Sequence, residues 1–413
     1  MTESLMRATP SSTAALPPTT ADYIAREEAV GAHNYTPLDL VIAHAEGAWV
    51  TDVEGRRYLD CLAAYSAVNP GHCHPRLVAA LTRQASRVTL TSRAFRNTEL
   101  PAFSEALAAL CGMEMVLPMN TGAEAVETAI KAARRWGYRV KGIPRDEANL
   151  IVFANNFHGR TTTIVGFSSE PEYKADFGPF TPGFTVVPFG DIAAVRAAIT
   201  DRTCAVLFEP IQCEAGVLLP PDGFVRALAD ECRARRVLLI ADEIQTGLGR
   251  TGRRFACDHE DVTPDMYVLG KALSGGMYPV SAVVSRREVL GVLGPGSHGS
   301  TFGGNPLGCA VAREALQVML DERLPERAAA LGDWWLSELR ARLRHPVVRE
   351  VRGRGLMLGV ELHERARPYC EALKARGVLC KETHGTVIRL APPLVVTREE
   401  LVWATEQLDV VLG

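Results

Sequence analysis

The sequence predicts an α/β fold in which a large domain with a mostly parallel, doubly wound sheet is joined to a smaller α+β domain. Three apolar runs, at 150–154, 205–208 and 237–241, are too short and too continuous for amphipathic helices and are typical of strands buried on both faces. A helical segment at 224–235 separates the second run from the third. Strands that alternate with helices in this way favour parallel connections within one sheet.

The composition and charge of the chain exclude several classes of protein. Its 413 residues suffice for two domains, and 47% hydrophobic with 23% charged residues is ordinary for a globular protein. The formal net charge of −3 provides no basic surface for nucleic acid, and no apolar run reaches the roughly eighteen residues that span a bilayer. The ten cysteines include no Cys-x-x-Cys pair, which favours reduced thiols in the cytoplasm. We therefore expect small-molecule partners, and neither nucleic acid nor membrane.

The first 60 residues are predicted to form a tail and a small N-terminal segment. Residues 1–20 are rich in Ser, Thr, Ala and Pro, a composition typical of disordered chain. Residues 21–60 contain a short helix from Asp22 and then, around Gly55, the alternation of apolar and polar residues that indicates a β-hairpin. We expect this segment to join the small domain.

The large domain is expected to cover residues 61–306, and its first notable feature is a pair of histidines. His72 and His74 flank Cys73 and precede Pro75, which is suited to begin a helix. No second group of ligands follows at zinc spacing. We therefore predict a structural turn here and no metal site.

The segment after the apolar residues 116–119 has the features of a phosphate-binding turn. Thr121 can cap the helix that begins with Gly122 and Ala123. Free amide groups and the positive end of the helix dipole at such a terminus attract anions. On its own the pattern is weak, because any capped helix offers it.

Two of the buried runs end in polar residues at the same predicted edge of the sheet. Phe157 and Arg160 follow the first run, while Glu209 follows the second and Glu214 lies in the loop beyond it. Phe157 is suited to stack on a cofactor ring, and Arg160 is suited to bind a carboxylate. A core phenylalanine and a surface arginine are equally consistent with the residues alone.

Functional prediction depends most on the residues from Val237 to Gly276. The third run stops on Asp242, and the next apolar run, 266–269, leads through Gly270 to Lys271. Ligands in open α/β sheets bind beyond the carboxyl ends of the strands, so both ionisable groups are expected to face one site.

Lys271 and Asp242 together favour pyridoxal 5′-phosphate (PLP) as the cofactor. Only six of the 45 basic residues are lysines, and an amine can lose its proton and attack a carbonyl, which a guanidinium cannot. PLP needs a lysine for its aldehyde and an acid against its ring nitrogen, because the protonated ring withdraws electrons. Each residue alone is also consistent with a helix cap or a surface lysine.

The segment 247–252, Gly-Leu-Gly-Arg-Thr-Gly, matches a dinucleotide fingerprint. That fingerprint must open a helix immediately after its strand. Here the five residues 242–246 intervene, and no convincing amphipathic helix follows Gly252. A nicotinamide site is therefore disfavoured.

The last part of the chain, residues 307–413, is predicted to be the small domain. A glycine-rich loop at 294–306 precedes it. Arg389 is predicted in its last strand, pointing to the face opposite Ile388 and Leu390. The predicted elements are helices at 327–343 and 367–376 and strands at 356–362 and 387–390.

From about Gly31 to its C-terminus the sequence resembles the fold-type I, class III PLP-dependent aminotransferases. The resemblance implies a ping-pong reaction in which ornithine donates its δ-amine to 2-oxoglutarate. A related enzyme for N-acetylornithine or 4-aminobutyrate is the alternative, and Tyr35 argues against it. The motifs that carry the resemblance are GAHNY at 31–35, YSAVN at 65–69, LTSRAF at 90–95, NTG at 120–122, EPIQ at 209–212, ADEIQTG at 241–247, LGKALSGG at 269–276 and RLAPPL at 389–394.

The resemblance also implies the residues that bind the cofactor. Lys271 would be the Schiff-base lysine, Asp242 the partner of the ring nitrogen, and Gln245 a hydrogen-bond partner of the ring hydroxyl. Phe157 would stack on the ring. The phosphate would be held by Gly122 and Ala123 with Thr301 of the partner subunit, which implies a homodimer with shared active sites or a higher oligomer.

The substrate-binding residues implied by the resemblance are Tyr35, Tyr65, Arg160, Glu214 and Arg389. Tyr35 and Arg160 would bind the α-amino and α-carboxylate groups of ornithine, and Tyr65 would line the pocket. Arg389 would receive the α-carboxylate of glutamate, and Glu214 would neutralise it while ornithine is bound.

Two positions depart from the family pattern. His158 replaces a tryptophan that is common beside the stacking aromatic residue. Cys213 replaces the glycine expected before Glu214, and this exchange removes backbone freedom and adds bulk. We therefore expect this exchange to affect the geometry of the loop that carries Glu214.

Overall fold

The computed structural model describes residues 18–413, so the predicted tail lies almost entirely outside the described residues. The strands are β1 (Ile42–Glu46), β2 (Trp49–Asp52), β3 (Arg57–Asp60), β4 (Met115–Met119), β5 (Asn149–Phe153), β6 (Phe184–Val187), β7 (Thr203–Phe208), β8 (Leu238–Asp242), β9 (Met266–Leu269), β10 (Ser281–Ser285), β11 (Val348–Arg354), β12 (Met357–Leu362), β13 (Val378–Leu379), β14 (Lys381–Thr383) and β15 (Val387–Leu390). The helices are α1 (Thr20–Glu28), α2 (Ala63–Ser66), α3 (Pro75–Ala85), α4 (Glu99–Cys111), α5 (Gly122–Trp136), α6 (Thr162–Gly166), α7 (Pro171–Lys174), α8 (Ile192–Ala198), α9 (Phe224–Ala234), α10 (Arg287–Leu290), α11 (Pro306–Asp321), α12 (Leu324–Arg342), α13 (Arg367–Ala375) and α14 (Arg398–Leu412).

The predicted fold class is confirmed. A seven-stranded sheet has the order β4-β10-β9-β8-β7-β5-β6, and its strands from β9 to β6 pair in parallel. Only β10 runs against its neighbours, because it pairs antiparallel with both β4 and β9. The strands β7, β8 and β9 are buried throughout, as expected for apolar runs covered on both faces.

Helices cover both faces of this sheet, which makes it doubly wound. Ile130 of α5 packs with Ile240 on one face, and Leu228 of α9 packs with Leu239 on the other. Adjacent residues of one strand point to opposite faces, so a continuous apolar run serves both layers. The carboxyl ends of the parallel strands and the N-terminus of α5 border the candidate site.

The small domain is built on the antiparallel sheet β11-β12-β15-β14. The N-terminal hairpin forms a second sheet, β1-β2-β3-β13, in which β3 pairs in parallel with β13 from the C-terminal part of the chain. This pairing supports the proposal that residues 21–60 associate with the small domain.

The helix α11 bears on the domain boundary predicted at residues 306 and 307. The helix α11 packs on the large domain, where Leu77 of α3 clusters with Ala315 and Val318. Arg76 of α3 also pairs with Glu314 and with Asp321, each at 2.7 Å. We therefore propose that the small domain starts after α11. This packing could not be predicted from the sequence, because an apolar helix face does not identify the surface that covers it.

The glycine-rich segment 247–252 forms successive turns and opens no helix. Arg250 in this segment is fully buried, and its guanidinium donates hydrogen bonds to the carbonyl oxygens of Leu356 and Pro392 and to Oδ1 of Asn69. These contacts join the large domain to the C-terminal part of the chain. The segment therefore connects two domains and lacks the helix that a dinucleotide site requires.

The sequence also led to expectations about a metal site, membrane-spanning helices and the state of the cysteines. Within residues 18–413 no helix has the length and apolar character needed to cross a bilayer, and no group of three or more metal-ligating side chains occurs. His72 contacts Asp60 at 2.8 Å, and His74 contacts Glu322 at 2.9 Å. All ten cysteines are free thiols, and Cys73 alone among them is exposed.

Candidate active site

A cavity of about 200 Å³ lies at the carboxyl edge of the large sheet. The strand β8 ends at Asp242, and β9 is followed by Gly270 and Lys271, so both groups enter this cavity from adjacent strands. The predicted cofactor residues that line it are Gly122, Ala123, Phe157, Asp242, Gln245 and Lys271. Thr301 is absent from the lining.

Lys271 is placed to act as a neutral amine. Burial lowers the pKa of its ammonium group, although Glu214 and Asp242 oppose the shift. Its Nζ makes no hydrogen bond or ion pair to any of residues 18–413, and the side chain forms part of the cavity wall. An unpaired, easily deprotonated amine is suited to attack a carbonyl and to carry a proton.

Asp242 is buried and held by two hydrogen bonds. Its Oδ1 accepts from the backbone N–H of Ile244 at 3.1 Å, and its Oδ2 lies 2.7 Å from Nδ1 of His158. Since a carboxylate only accepts, this contact assigns the proton to Nδ1 of the imidazole. The departure at His158 thus gives Asp242 a hydrogen-bond donor.

The N-terminus of α5 forms the opposite end of the cavity. Thr121 caps the helix, where its Oγ1 accepts from the N–H of Glu124 at 3.2 Å. The first amides, at Gly122 and Ala123, have no intrahelical acceptor and are free for an anion. A Cβ on Gly122 would lie 2.9 Å from Cδ1 of Ile244, so a larger residue would close this space.

Glu209 is a site residue to which the sequence assigned no role. It lines the same cavity, and its Oε2 accepts from the N–H of Phe157 at 3.0 Å. Burial, together with the charge of Asp242, raises its pKa well above the ordinary value. By accepting this hydrogen bond, the carboxyl group orients the backbone of the predicted stacking residue. Its position directly after β7, at the carboxyl edge of the sheet, could have indicated a place in the site.

A second cavity, of about 260 Å³, adjoins the first, and Phe157 lines both. The structure brings all five predicted substrate residues into its wall. They are Tyr35, Tyr65, Arg160, Glu214 and Arg389. The lining residues without a predicted role include Tyr173, Lys381 and Thr383.

Glu214 and Arg389 form an ion pair in the second cavity. Oε1 of Glu214 lies 2.7 Å from Nη1 of Arg389 and also accepts from Nε2 of Gln245 at 3.0 Å. Burial raises the pKa of Glu214, but the charge and hydrogen bond of Arg389 outweigh it, so the pKa lies below its ordinary value. The guanidinium of Arg389 also lies over the ring of Tyr65, at 4.6 Å from its centroid.

Tyr35 and Arg160 form the outer, solvent-accessible part of this cavity. Tyr35 is 74% exposed. Arg160 is exposed as well, and its guanidinium carbon lies 3.9 Å from the ring centroid of Tyr173 and 5.7 Å from that of Phe157. Its unpaired charge is therefore available to an anionic group of a ligand.

Thr301 and Cys213 are two further positions singled out in the sequence. Thr301 is exposed and lines neither cavity, so its predicted role requires a partner subunit. Cys213 is buried and is not among the described residues with positive φ, whereas Gly216 and Val217 of the same loop are. The exchange of glycine for cysteine therefore causes no backbone strain at residue 213.

Comparisons of the sequence and the structure with known proteins indicate the same family. The family model for aminotransferase class-III matches residues 30–412. An ornithine aminotransferase of Geobacillus sp. (strain WCH70) is 58% identical over 394 residues, which make up 95% of this chain and 99% of that protein.

Two solved structures extend the comparison. The ornithine aminotransferase from Toxoplasma gondii, described with partial occupancy of PLP at its active site, has a TM-score of 0.94 at 46% identity and covers 95% of this chain and 94% of that one. The acetylornithine aminotransferase from Elizabethkingia anophelis has a TM-score of 0.88 at 47% identity and covers 96% of this chain and 99% of that one.

The family match includes every residue that lines the two cavities. Its extent leaves no part of the candidate site outside the family model, and the high identity to a whole relative excludes a resemblance of fold alone. The chain belongs to the class-III aminotransferases.

Proposed function

We propose that this enzyme is an ornithine δ-aminotransferase that uses PLP and 2-oxoglutarate. The observation that carries the proposal is the Glu214–Arg389 pair, 2.7 Å apart, in a cavity that adjoins the cavity of Lys271. An arginine that is paired with a movable acid can be masked for one substrate and free for the next. The relatives named above support the choice of ornithine.

The lining of the first cavity fits PLP. Gly122 and Ala123 offer free amides to its phosphate, and the unpaired amine of Lys271 suits its aldehyde. Asp242 would bind the ring nitrogen, Phe157 would lie against the ring, and the amide of Gln245 has a second N–H for the ring hydroxyl. When bound, PLP withdraws electrons from the carbon that carries the substrate amine and so makes its C–H bond acidic.

The residues of the chain then act on ornithine. Lys271, as a neutral amine, would remove the proton from Cδ onto its Nζ and then donate it to the cofactor carbon that keeps the transferred nitrogen. Asp242 keeps its hydrogen bond from His158 and holds a proton at the cofactor nitrogen. Tyr35 and Arg160 bind the α-amino and α-carboxylate groups of ornithine, so its δ-amine is the end that reaches Lys271.

The pairing of Glu214 determines which substrate binds its α-carboxylate to Arg389. While Glu214 is paired, Arg389 offers no free charge to the α-carboxylate of ornithine, which stays at Arg160. When glutamate or 2-oxoglutarate binds, Glu214 leaves and Arg389 receives the α-carboxylate. The same site therefore removes the δ-amine of ornithine in one half-reaction and adds an amine to the α-carbon of 2-oxoglutarate in the other.

A comparison of amino donors tests the function directly. With 2-oxoglutarate as acceptor, we expect turnover with ornithine to exceed turnover with N-acetylornithine and with 4-aminobutyrate, because only ornithine presents a free α-amine to Tyr35 and an α-carboxylate to Arg160. Initial rates of glutamate formation give the measurement. A preference for N-acetylornithine or 4-aminobutyrate would contradict the substrate assignment and leave the cofactor assignment intact.

Removing the masking acid is expected to change selectivity. In Glu214→Ala, the ratio of the ornithine half-reaction rate to the glutamate half-reaction rate should fall by about ten- to a hundredfold, since a charged hydrogen bond contributes about 1.5–3 kcal/mol. Stopped-flow absorbance of the cofactor measures each half-reaction. Glu170→Ala removes another acid from the same cavity wall and should leave the ratio unchanged. An unchanged ratio in Glu214→Ala would show that Glu214 does not mask Arg389.

The assembly and location of the enzyme are part of the same proposal. We propose a homodimer in which Thr301 of the partner subunit completes the phosphate site, because Thr301 is exposed and remote from the cavity of its own chain. The buried, unpaired cysteines support a reducing compartment, the cytoplasm.

A further inference from the structure

The loop that carries Glu214 is short and closed at its base. Residues 213–217 connect Gln212 to Leu218, and these two residues exchange backbone hydrogen bonds: the N–H of Gln212 donates at 3.0 Å and the N–H of Leu218 donates at 2.9 Å. The side chain of Glu214 is 22% exposed within an otherwise buried segment. A shift of this loop would change the distance between Glu214 and Arg389.

The far end of the loop has a strained backbone. Gly216 has φ of +103°, and Val217 has φ of +56°. A positive φ is a true outlier for a β-branched residue, so it persists only where the surrounding structure fixes it. Val217 is fully buried, and its neighbours must supply that constraint.

Arg352 of β11 supplies the polar part of this constraint. Its Nε donates to the carbonyl oxygens of Gly216 at 3.1 Å and Val217 at 3.2 Å, and its Nη2 donates to Gly216 at 2.7 Å. Its Nη1 pairs with Glu350 at 2.8 Å and with Glu361. The two acids hold the guanidinium in place, and its planar fork holds the two carbonyl groups.

A second contact fixes the backbone at Glu214 itself. The hydroxyl of Thr383 donates to the carbonyl oxygen of Glu214. A Cβ added to Gly216 would lie 3.0 Å from Cγ2 of Val387 and 3.2 Å from Nη2 of Arg352, so the small domain packs closely on the loop. The backbone is therefore held on both sides, while the Glu214 side chain keeps access to the cavity.

We propose that Arg352 is a positioning residue for substrate selectivity. By holding the carbonyl groups of Gly216 and Val217, it fixes the loop so that Glu214 leaves and rejoins Arg389 through rotation of its side chain alone. Without this anchor the loop departs from its strained conformation, and Arg389 is unmasked while ornithine binds. The inference rests on the proposed masking of Arg389 by Glu214.

Two substitutions test the anchor. Arg352→Gln removes the charge and most of the hydrogen bonds, whereas Arg352→Lys keeps the charge beside Glu350 and Glu361 but cannot donate to both carbonyl groups from a planar fork. Each is expected to lower the ratio of ornithine to glutamate half-reaction rates by about tenfold, the equivalent of one lost hydrogen bond of a charged group. If Arg352→Gln fails to fold, the ratio of half-reaction rates measured for Arg352→Lys tests the proposal.

Arg349→Gln is the matched control. Arg349 lies on the same strand and pairs with the same Glu361, at 2.9 Å, but its only recorded side-chain partner among the described residues is that acid. We expect this variant to keep the wild-type ratio. An equal shift in Arg349→Gln and Arg352→Gln would overturn the proposal, because it would reflect general damage to the small domain.

A double-variant cycle separates the two proposals. If Arg352 acts through Glu214, Arg352→Lys should change the ratio in the wild type and cause no further change in Glu214→Ala. A shift that persists in Glu214→Ala, or unchanged ratios in both Arg352 variants, would overturn the positioning role alone. An unchanged ratio in Glu214→Ala itself would instead overturn the masking of Arg389.

Discussion

Replacement of Lys271 by alanine is expected to lower transamination by about a thousandfold or more, within the range known for removal of a general acid–base group. The structure places no other lysine in the lining of the first cavity. The amine of Lys271 is also unpaired, and burial lowers its pKa, so its neutral form is more abundant than that of an ordinary lysine. Half-reaction rates followed by cofactor absorbance provide the measurement.

Two further variants define what Lys271 contributes. Lys271→Arg keeps a positive charge that cannot be given up near neutral pH, so it should be as inactive as Lys271→Ala. Lys131→Ala, on the exposed side of α5, should keep full activity. Borohydride treatment of the loaded enzyme, followed by peptide mass spectrometry, should attach the cofactor to Lys271 in the wild type. Full turnover in Lys271→Ala would contradict the assignment.

The meeting of Asp242 and Lys271 in one cavity was predictable because strand ends follow simple rules. The apolar runs that became β8 and β9 are buried on both faces, and the residues after them must leave the sheet at its carboxyl edge. The prediction that Asp242 and Lys271 face one site therefore needed only the direction of the strands. The roles of the more distant residues came from the family resemblance.

Residues brought in by loops and by the small domain could not be predicted in the same way. Tyr173 lies on the four-residue α7, and Thr383 lies at the end of the three-residue β14, elements too short to leave a periodic pattern. Arg352 occupies a strand in which its sequence neighbours include Arg349, Glu350 and Arg354. Nothing in that pattern distinguishes a buried arginine from an exposed one.

The conformation of the turn that carries Tyr65 could not be predicted from the sequence either. All four residues of α2, Ala63 to Ser66, have positive φ, between 48° and 68°, and none is glycine. Such a left-handed turn is unfavourable for L-residues and persists only through tertiary contacts. One of those contacts is the stacking of Tyr65 against Arg389. Local preference therefore argues against a conformation that the site requires.

Replacement of Asp242 by asparagine is expected to lower both half-reactions by about a hundredfold or more, since a charged hydrogen bond in a buried site contributes up to about 3 kcal/mol. Asparagine keeps the size of the side chain but loses the charge that holds a proton at the cofactor nitrogen. Both half-reactions need that proton, so their ratio should remain close to the wild-type value. This outcome differs from the change in ratio expected for Glu214→Ala.

Asp265→Asn is the matched control for Asp242→Asn. Asp265 lies beside the opposite ends of the same two strands, β8 and β9. Asp265 immediately precedes β9, and its Oδ2 accepts from the N–H of Leu239 in β8 at 2.8 Å. Loss of that charge can weaken the fold, which thermal unfolding would reveal, but it should leave the rate per folded molecule unchanged. If Asp242→Asn binds the cofactor fully and reacts at the wild-type rate, Asp242 has only a structural role, as the acceptor for the N–H of Ile244 and for Nδ1 of His158.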